Sequence, residues 1–208
     1  MNNEMITLNK INTKKATITI IGDSDLVLNK MNDCTVRDLT IIRDNKAKNR
    51  EPHNKWEEII TSVHWLNGKP ADFSEESLKE ALVNNAPCIT AFGLKKSFGD
   101  AVVRNEIDKY KTKFDAAVNV LGEGDNLVPI KFAEYHLDEK LMSPKKGSPV
   151  LSRLNRFSGW SAEFNISYQD NVYSLEQIVD IINLAGFGLG IGSGRTSGYG
   201  RYHVANLK

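Results

Sequence analysis

An α+β fold built on an antiparallel sheet follows from three features of this 208-residue sequence. Ala16-Thr-Ile-Thr-Ile-Ile21 alternates β-branched residues as a strand does. The segments Leu94 to Val102 and Leu175 to Ala185 repeat apolar residues at helical spacing. Stretches from Phe114 and from Trp160 return to strand character between them. With 40% hydrophobic and 25% charged residues, the chain has material for one core, and a single domain over residues 1–208 is expected.

Taken in order, the first strand closes at Gly22-Asp23, and Asp23 to Asn32 continues it or hairpins back. Thr35 to Ala47 carries Val36, Leu39 and Ile42 at the spacing of a loosely amphipathic helix. Asp44 to Lys55 mixes Lys46, Lys48, Arg50 and Lys55 with Asp44 and Glu51, the pattern of a solvated connection. Trp56 to Trp65 is apolar enough for a core strand, ended by a turn at Leu66-Asn-Gly-Lys-Pro70. Ser74 can cap a helix from Glu75 to about Asn84, with acids in its first turn, and Pro87 ends any continuation.

Leu94, Phe98, Ala101 and Val102 make one stripe, so the next helix packs on a sheet while Lys95, Lys96 and Arg104 point elsewhere. Phe114 to Leu121 and Val128 to Tyr135, around a turn at Gly122-Glu-Gly-Asp125, predict a hairpin. Leu141 to Ser158 holds Lys145, Lys146, Arg153 and Arg156, no acid and two prolines, which predicts a long basic loop or hairpin. Trp160 to Tyr168 alternates as a strand. Ser174-Leu-Glu-Gln177 is a capping box for a helix whose broad apolar face includes Ile178, Ile181, Ile182 and Ala185. Tyr202-His-Val204 closes the sheet. Strand, helix, paired strands, helix and closing strand give an elaborated ferredoxin-like, or RRM-like, domain; the helices before residue 90 are insertions.

Charge and cysteines narrow the function. Lys and Arg number 27 against 26 Asp and Glu, a net charge of +1, so a polyanion site must arise from local segregation of charge. Cys34 and Cys88 lack metal-ligand spacing and suit reduced thiols. No apolar run nears the ~20 residues of a membrane span, and a cytoplasmic protein without membrane contact is expected. Neither metal nor cofactor is indicated, since no His-x-x-x-His or Cys-x-x-Cys occurs.

Residues 186–201 concentrate function, holding seven of the fifteen glycines together with Arg195, Tyr199 and Arg201 and no acid. Glycines let successive N–H groups turn to one side and an anion approach, so a phosphate cradle of Gly190, Gly192, Ser193, Gly194, Arg195 and Arg201 is expected. The plain alternative is a flexible glycine-packed turn. Gly188-x-Gly190-x-x-Ser193 comes near the dinucleotide fingerprint, but it follows a helix and leads into a strand, the reverse of that motif's order.

Gly190-Ile-Gly-Ser-Gly-Arg-Thr-Ser-Gly-Tyr-Gly-Arg201 resembles the C-terminal glycine-rich loop of the RAMP superfamily, the guide-RNA-binding and guide-processing subunits of CRISPR effector complexes. Phe92-Gly-Leu-Lys-Lys-Ser-Phe-Gly-Asp-Ala-Val-Val-Arg104 resembles the start of the first long helix of its backbone subunits, although it lacks their first serine and carries inserted residues. The chain is also similar to uncharacterised phage and prophage proteins of low-GC Gram-positive bacteria. The resemblance implies a non-catalytic binder of single-stranded RNA or DNA that self-assembles along the strand. In that picture the glycine loop with Lys95 and Lys96 holds phosphates, Lys145, Lys146, Arg153 and Arg156 clamp, and Tyr199 or Trp160 stacks on bases. Two alternatives stay open: a metal-independent endoribonuclease using His64 or His203, and a phage anti-defence protein that mimics or sequesters a host component.

Overall fold

The computed structural model describes residues 12–43, 52–142 and 150–205. Its first strand is β1, Thr13–Gly22, in which Ile18 and Ile20 are fully buried while Thr17 and Thr19 face outward. Along one edge runs β9, Ser161–Gln169, antiparallel in unbroken register from Thr13↔Gln169 to Ile21↔Ser161. On the other edge lies β10, Tyr202–Val204, also antiparallel. The far side of β9 is covered by β5, Val118–Leu121, and then β6, Leu127–Lys131. These two run the same way, Val118↔Tyr168 and then Ile130↔Ala162, as one strand interrupted by a tight turn in which Glu123 and Leu127 exchange both backbone hydrogen bonds.

The hairpin expected from 114–121 and 128–135 is therefore absent. Both segments take their ladder bonds from β9, and Phe114 and Ala117 instead enter the core from a short helix, α5, Thr112–Ala117.

Two helices cross the sheet. In α4, Ala91–Arg104, the Thr90 hydroxyl accepts from Gly93 N at 3.0 Å, and Leu94, Phe98, Ala101 and Val102 all have zero exposure. Stacking of Phe98 on Phe164 of β9, with ring centroids 6.1 Å apart, joins this helix to the sheet. The capping box forms at the start of α6, Leu175–Gly188, where Ile178, Ile182 and Ala185 are fully buried. Strand order β10-β1-β9-β5/β6, with α4 before β5 and α6 between β9 and β10, is the antiparallel ferredoxin-like arrangement.

Insertions elaborate both halves. Between β1 and α4 come β2, Leu26–Leu28; α1, Asp33–Arg43; α2, Lys55–Thr61; β3, His64–Trp65; α3, Glu75–Asn84; and β4, Pro87–Thr90. The last of these pairs with β6 and carries β3 on its outer edge. Residues 56–65 are thus mostly helix, not the strand that their apolar content predicts. Asn54 accepts from Trp56 N and Glu57 N, Glu57 and Glu58 fill the first turn, and Ile59, Ile60 and Thr61 are buried. The cap and acid placement outweigh the β-branched residues.

A second, three-stranded sheet orders β2-β8-β7, with β7 spanning Glu134–Met142 and β8 Val150–Ser158, paired from Glu134↔Ser158 to Met142↔Val150. This is the long hairpin expected from 141–158, longer on its incoming side. Its tip, 143–149, lies outside the described residues, as does most of the connection after Asp44. The chain after Asp23 does not fold back on β1; β2 joins β8 instead. Asn155, fully buried on β8, donates to the Ile59 carbonyl at 3.1 Å and the Ser62 hydroxyl at 2.8 Å, and accepts from Tyr135 OH at 2.8 Å. The second sheet is thereby tied to α2.

Candidate nucleic-acid interface

The chain leaving α6 is sewn onto β2 before it enters β10. Ile191 N donates to Gly200 O at 2.9 Å, closing the loop on itself, while Ser193 N donates to Val27 O and Gly200 N to Asp25 O, each at 2.8 Å. Such contact leaves no room for side chains. A Cβ on Gly200, where φ is +70°, would sit 1.9 Å from Ile191 O, and one on Gly192, where φ is +78°, 2.5 Å from Val27 O. These glycines are required for close backbone packing, and part of the N–H array expected to face an anion is spent on β2. The amides of Gly192, Gly194, Arg195 and Thr196 make no hydrogen bond among the described residues. Gly194 is left-handed (φ 69°, ψ 19°) and opens a single 3-10 turn, Arg195–Ser197. A left-handed residue followed by right-handed ones converges neighbouring N–H groups into an anion-accepting nest.

Beside this loop lies a cleft of about 270 Å³, walled by the end of β2, β4, the first turns of α4, and the loop. Lys30, Lys96 and Arg195 line it and no acidic side chain does. Lys96 is held by Asp100 one turn along α4, with Nζ to Oδ2 at 3.0 Å, whereas the side chains of Lys30 and Arg195 meet no carboxylate among the described residues. His64 also lines the cleft. Burial, and then the charge of Lys30, hold its pKa below the ordinary histidine value, so the ring is neutral at pH 7. The outcome is a pocket in which two of the three cations, Lys30 and Arg195, meet no acid among the described residues, with amide donors on its walls.

Of the residues proposed from sequence, Gly190, Gly192, Ser193, Arg195 and Lys96 meet at this cleft. Gly194 packs under the Tyr199 ring, which is half-buried and already carries Lys140 Nζ over its face, 5.6 Å from the centroid. Arg201 turns inward: its guanidinium donates to Phe187 O at 3.0 Å and Arg195 O at 3.4 Å, closing the C-terminal end of α6 rather than facing a phosphate. Lys95 leaves the cleft to reach Asn119 Oδ1 on β5 at 2.7 Å.

The expected clamp is corrected more strongly. Arg153 pairs with Glu58 and, at 3.1 Å, with Glu139. Arg156 holds Asp138 through two hydrogen bonds of 2.9 and 3.1 Å and Asp25 through one of 2.6 Å. Both charges are neutralised at home by acids distant in sequence. Lys145 and Lys146 lie outside the described residues. Trp160, expected to stack, is 1% exposed, donates to Ser24 O at 2.7 Å and packs edge-on to Tyr202. His203 is not at the cleft; its Nδ1 lies 2.6 Å from Asp23 Oδ1 at the exposed sheet edge. Sequence reasoning missed Lys30, a single cation in an unpatterned segment.

Fold and site define a ferredoxin-like α+β protein with an added three-stranded sheet and an acid-free cleft at its C-terminal glycine loop. No family model and no curated protein sequence matches the chain. Among solved structures it is similar to a chain of the Type III-B Cmr-beta complex bound to cognate target RNA, with TM-score 0.50 and 12% identity over 94% of this chain. It spans 60% of the length of that neighbour. It is also similar to Cmr6 from Pyrococcus furiosus, with TM-score 0.41 and 11% identity, covering 94% of this chain and 100% of the other. Among the described residues no helix is long and apolar enough to cross a membrane.

Proposed function

We propose that the protein is a RAMP-like, non-catalytic binder of single-stranded RNA that holds the phosphate backbone in the cleft beside its glycine loop. The observation that carries this reading is the grouping of Lys30, Lys96 and Arg195 around one cleft without an acid in its lining, in a chain whose net charge is only +1. Phosphates would meet the three cations and the free amides from Gly194 to Thr196, while the Thr90 hydroxyl supplies a further donor. The fold shared with a chain of an RNA-bound Type III-B assembly and the resemblance of residues 190–201 to the RAMP glycine loop both support it. Assembly of several copies along one strand belongs to the same proposal. Phosphate contacts alone do not select RNA over single-stranded DNA, so both strands enter the test.

Fluorescence anisotropy of labelled single strands in EDTA, titrated over a range of salt, tests the reading. For single strands each phosphate contact adds about 0.7 to the salt slope, so Lys30→Ala, Lys96→Ala and Arg195→Ala together should flatten it by about 2. An unchanged slope in the folded triple variant would remove the cleft from the interface. A second reading rests on His64, whose neutral ring on the cleft wall is a competent proton acceptor. Cleavage products that form in EDTA and vanish in His64→Ala would replace binding by metal-independent cleavage.

A further inference from the structure

The cleft supplies charge but little flat surface for a base, since Trp160 is closed in the core and Tyr199 already carries Lys140. Two other rings stand open. Phe187 is 85% and Phe92 71% exposed, the most exposed aromatic side chains among the described residues. Each belongs to a helix whose remaining large apolar residues mostly face the core, and neither ring is needed to fill it.

Their placement is specific. Phe92 lies in the first turn of α4, four residues before Lys96, so the two share a helix face and Lys96 lines the cleft. Phe187 lies in the last turn of α6, and its carbonyl accepts from Arg201, whose guanidinium also holds the carbonyl of the cleft residue Arg195. Ser97, midway along α4, donates to Gly190 O just past α6, at 3.2 Å, tying the C-terminal end of α6 to α4 beside the cleft. Both rings therefore stand at the glycine-loop end of the helix layer, one on each helix.

We infer that Phe92 and Phe187 are base-stacking platforms for the strand whose phosphates occupy the cleft. The inference rests on the RNA-binding reading and extends it from the backbone to the bases. A nucleotide presents an anionic phosphate and a π-face together, matching an acid-free cationic cleft flanked by open rings; an apolar protein surface would gain nothing from Lys30, Lys96 and Arg195. Stacking on phenylalanine tolerates any base, so the site would hold single strands without reading sequence.

The test compares a short labelled oligouridine with an abasic sugar-phosphate strand of equal length. Both are measured on the wild-type protein and on Phe92→Leu and Phe187→Leu, which keep an apolar side chain and remove the ring. Because both rings are exposed, the variants should fold as the parent does. Each change should weaken oligouridine binding about five-fold or more, leave the abasic strand unaffected and leave the salt slope intact. Phe187→Trp should report oligouridine by fluorescence quenching. Unchanged oligouridine affinity in both leucine variants, with the cation variant still impaired, would overturn stacking and leave the phosphate site standing. Equal wild-type affinity for the two strands would overturn stacking as well. No wild-type binding to either strand would overturn both readings. Lost self-association with RNA affinity intact would assign the rings to contacts between copies and overturn the inference.

Discussion

Replacing Asn155 by alanine tests how the second sheet is held. The side chain has zero exposure and joins three elements: α2 through Ile59 O, the residue after α2 through the Ser62 hydroxyl, and β7 through Tyr135 OH. In Asn155→Ala the Ile59 carbonyl keeps its bond from the Ser62 hydroxyl at 2.8 Å, but the Tyr135 hydroxyl is left without its acceptor. Orphaning this part-buried hydroxyl costs about 1–3 kcal/mol, and the small cavity adds about 1, for a loss of about 2–4 kcal/mol. At about 2–4 °C per kcal/mol for a chain of this length, the melting temperature should fall by roughly 5–15 °C. Thermal and urea unfolding followed by circular dichroism measure it, with the urea midpoint moving and the slope constant. Adding Tyr135→Phe removes the orphan, so the double change should cost about 1 kcal/mol less than the sum of the single ones. A loss below 1 kcal/mol, or strict additivity, would refute the account.

Gly198→Ala, in open space at φ +87°, should cost about 1–2 kcal/mol, whereas Gly200→Ala adds a backbone clash and should cost clearly more; equal urea midpoints would contradict the sewn loop. His64 has a folded-state pKa below its unfolded one, so the unfolded chain binds its proton first and stability should fall as pH drops from about 6.5 through the folded pKa; His64→Gln should flatten that part of the urea-midpoint profile. Burial pushes the Cys34 and Cys88 thiols up to about 11 and about 12, so iodoacetamide at pH 8 should label neither in the native protein and both in urea. Arg156→Ala should lower stability by exposing Asp25 and Asp138 to each other's charge, yet leave the salt slope of RNA binding unchanged.

The long periodic elements were legible in the sequence because their signals are local. The stripe of α4, the capping box of α6 and the Ser74 cap of α3 each specify structure within a few turns. Lys55–Thr61 misled because apolar content does not separate a buried helix from a strand, and its Asn54 cap was the overlooked cue. At the site, the glycine run marked the right place for an incomplete reason. Its positive φ angles serve contact with Asp25 and Val27, residues no local pattern links to it. Arg153 and Arg156 read as free cations because their acids, Glu58, Asp138 and Asp25, are supplied by the fold. Trp160 read as a platform because sequence does not disclose that β1 leaves a slot for it at Gly22.

The position of β1 between β9 and β10 has a kinetic consequence during synthesis. Thr17 bonds to Asn165 across 148 residues, and Ile20 pairs with Val204 at a still greater separation. Until β9 is made, a strand rich in β-branched residues has no neighbour, and Ile18 and Ile20 have no sheet to enter. Loop closure over such distances is slow, and an unpaired apolar strand is what holdase chaperones and aggregating chains recognise. Assembly of the sheet around β1 therefore waits on strands made long after it.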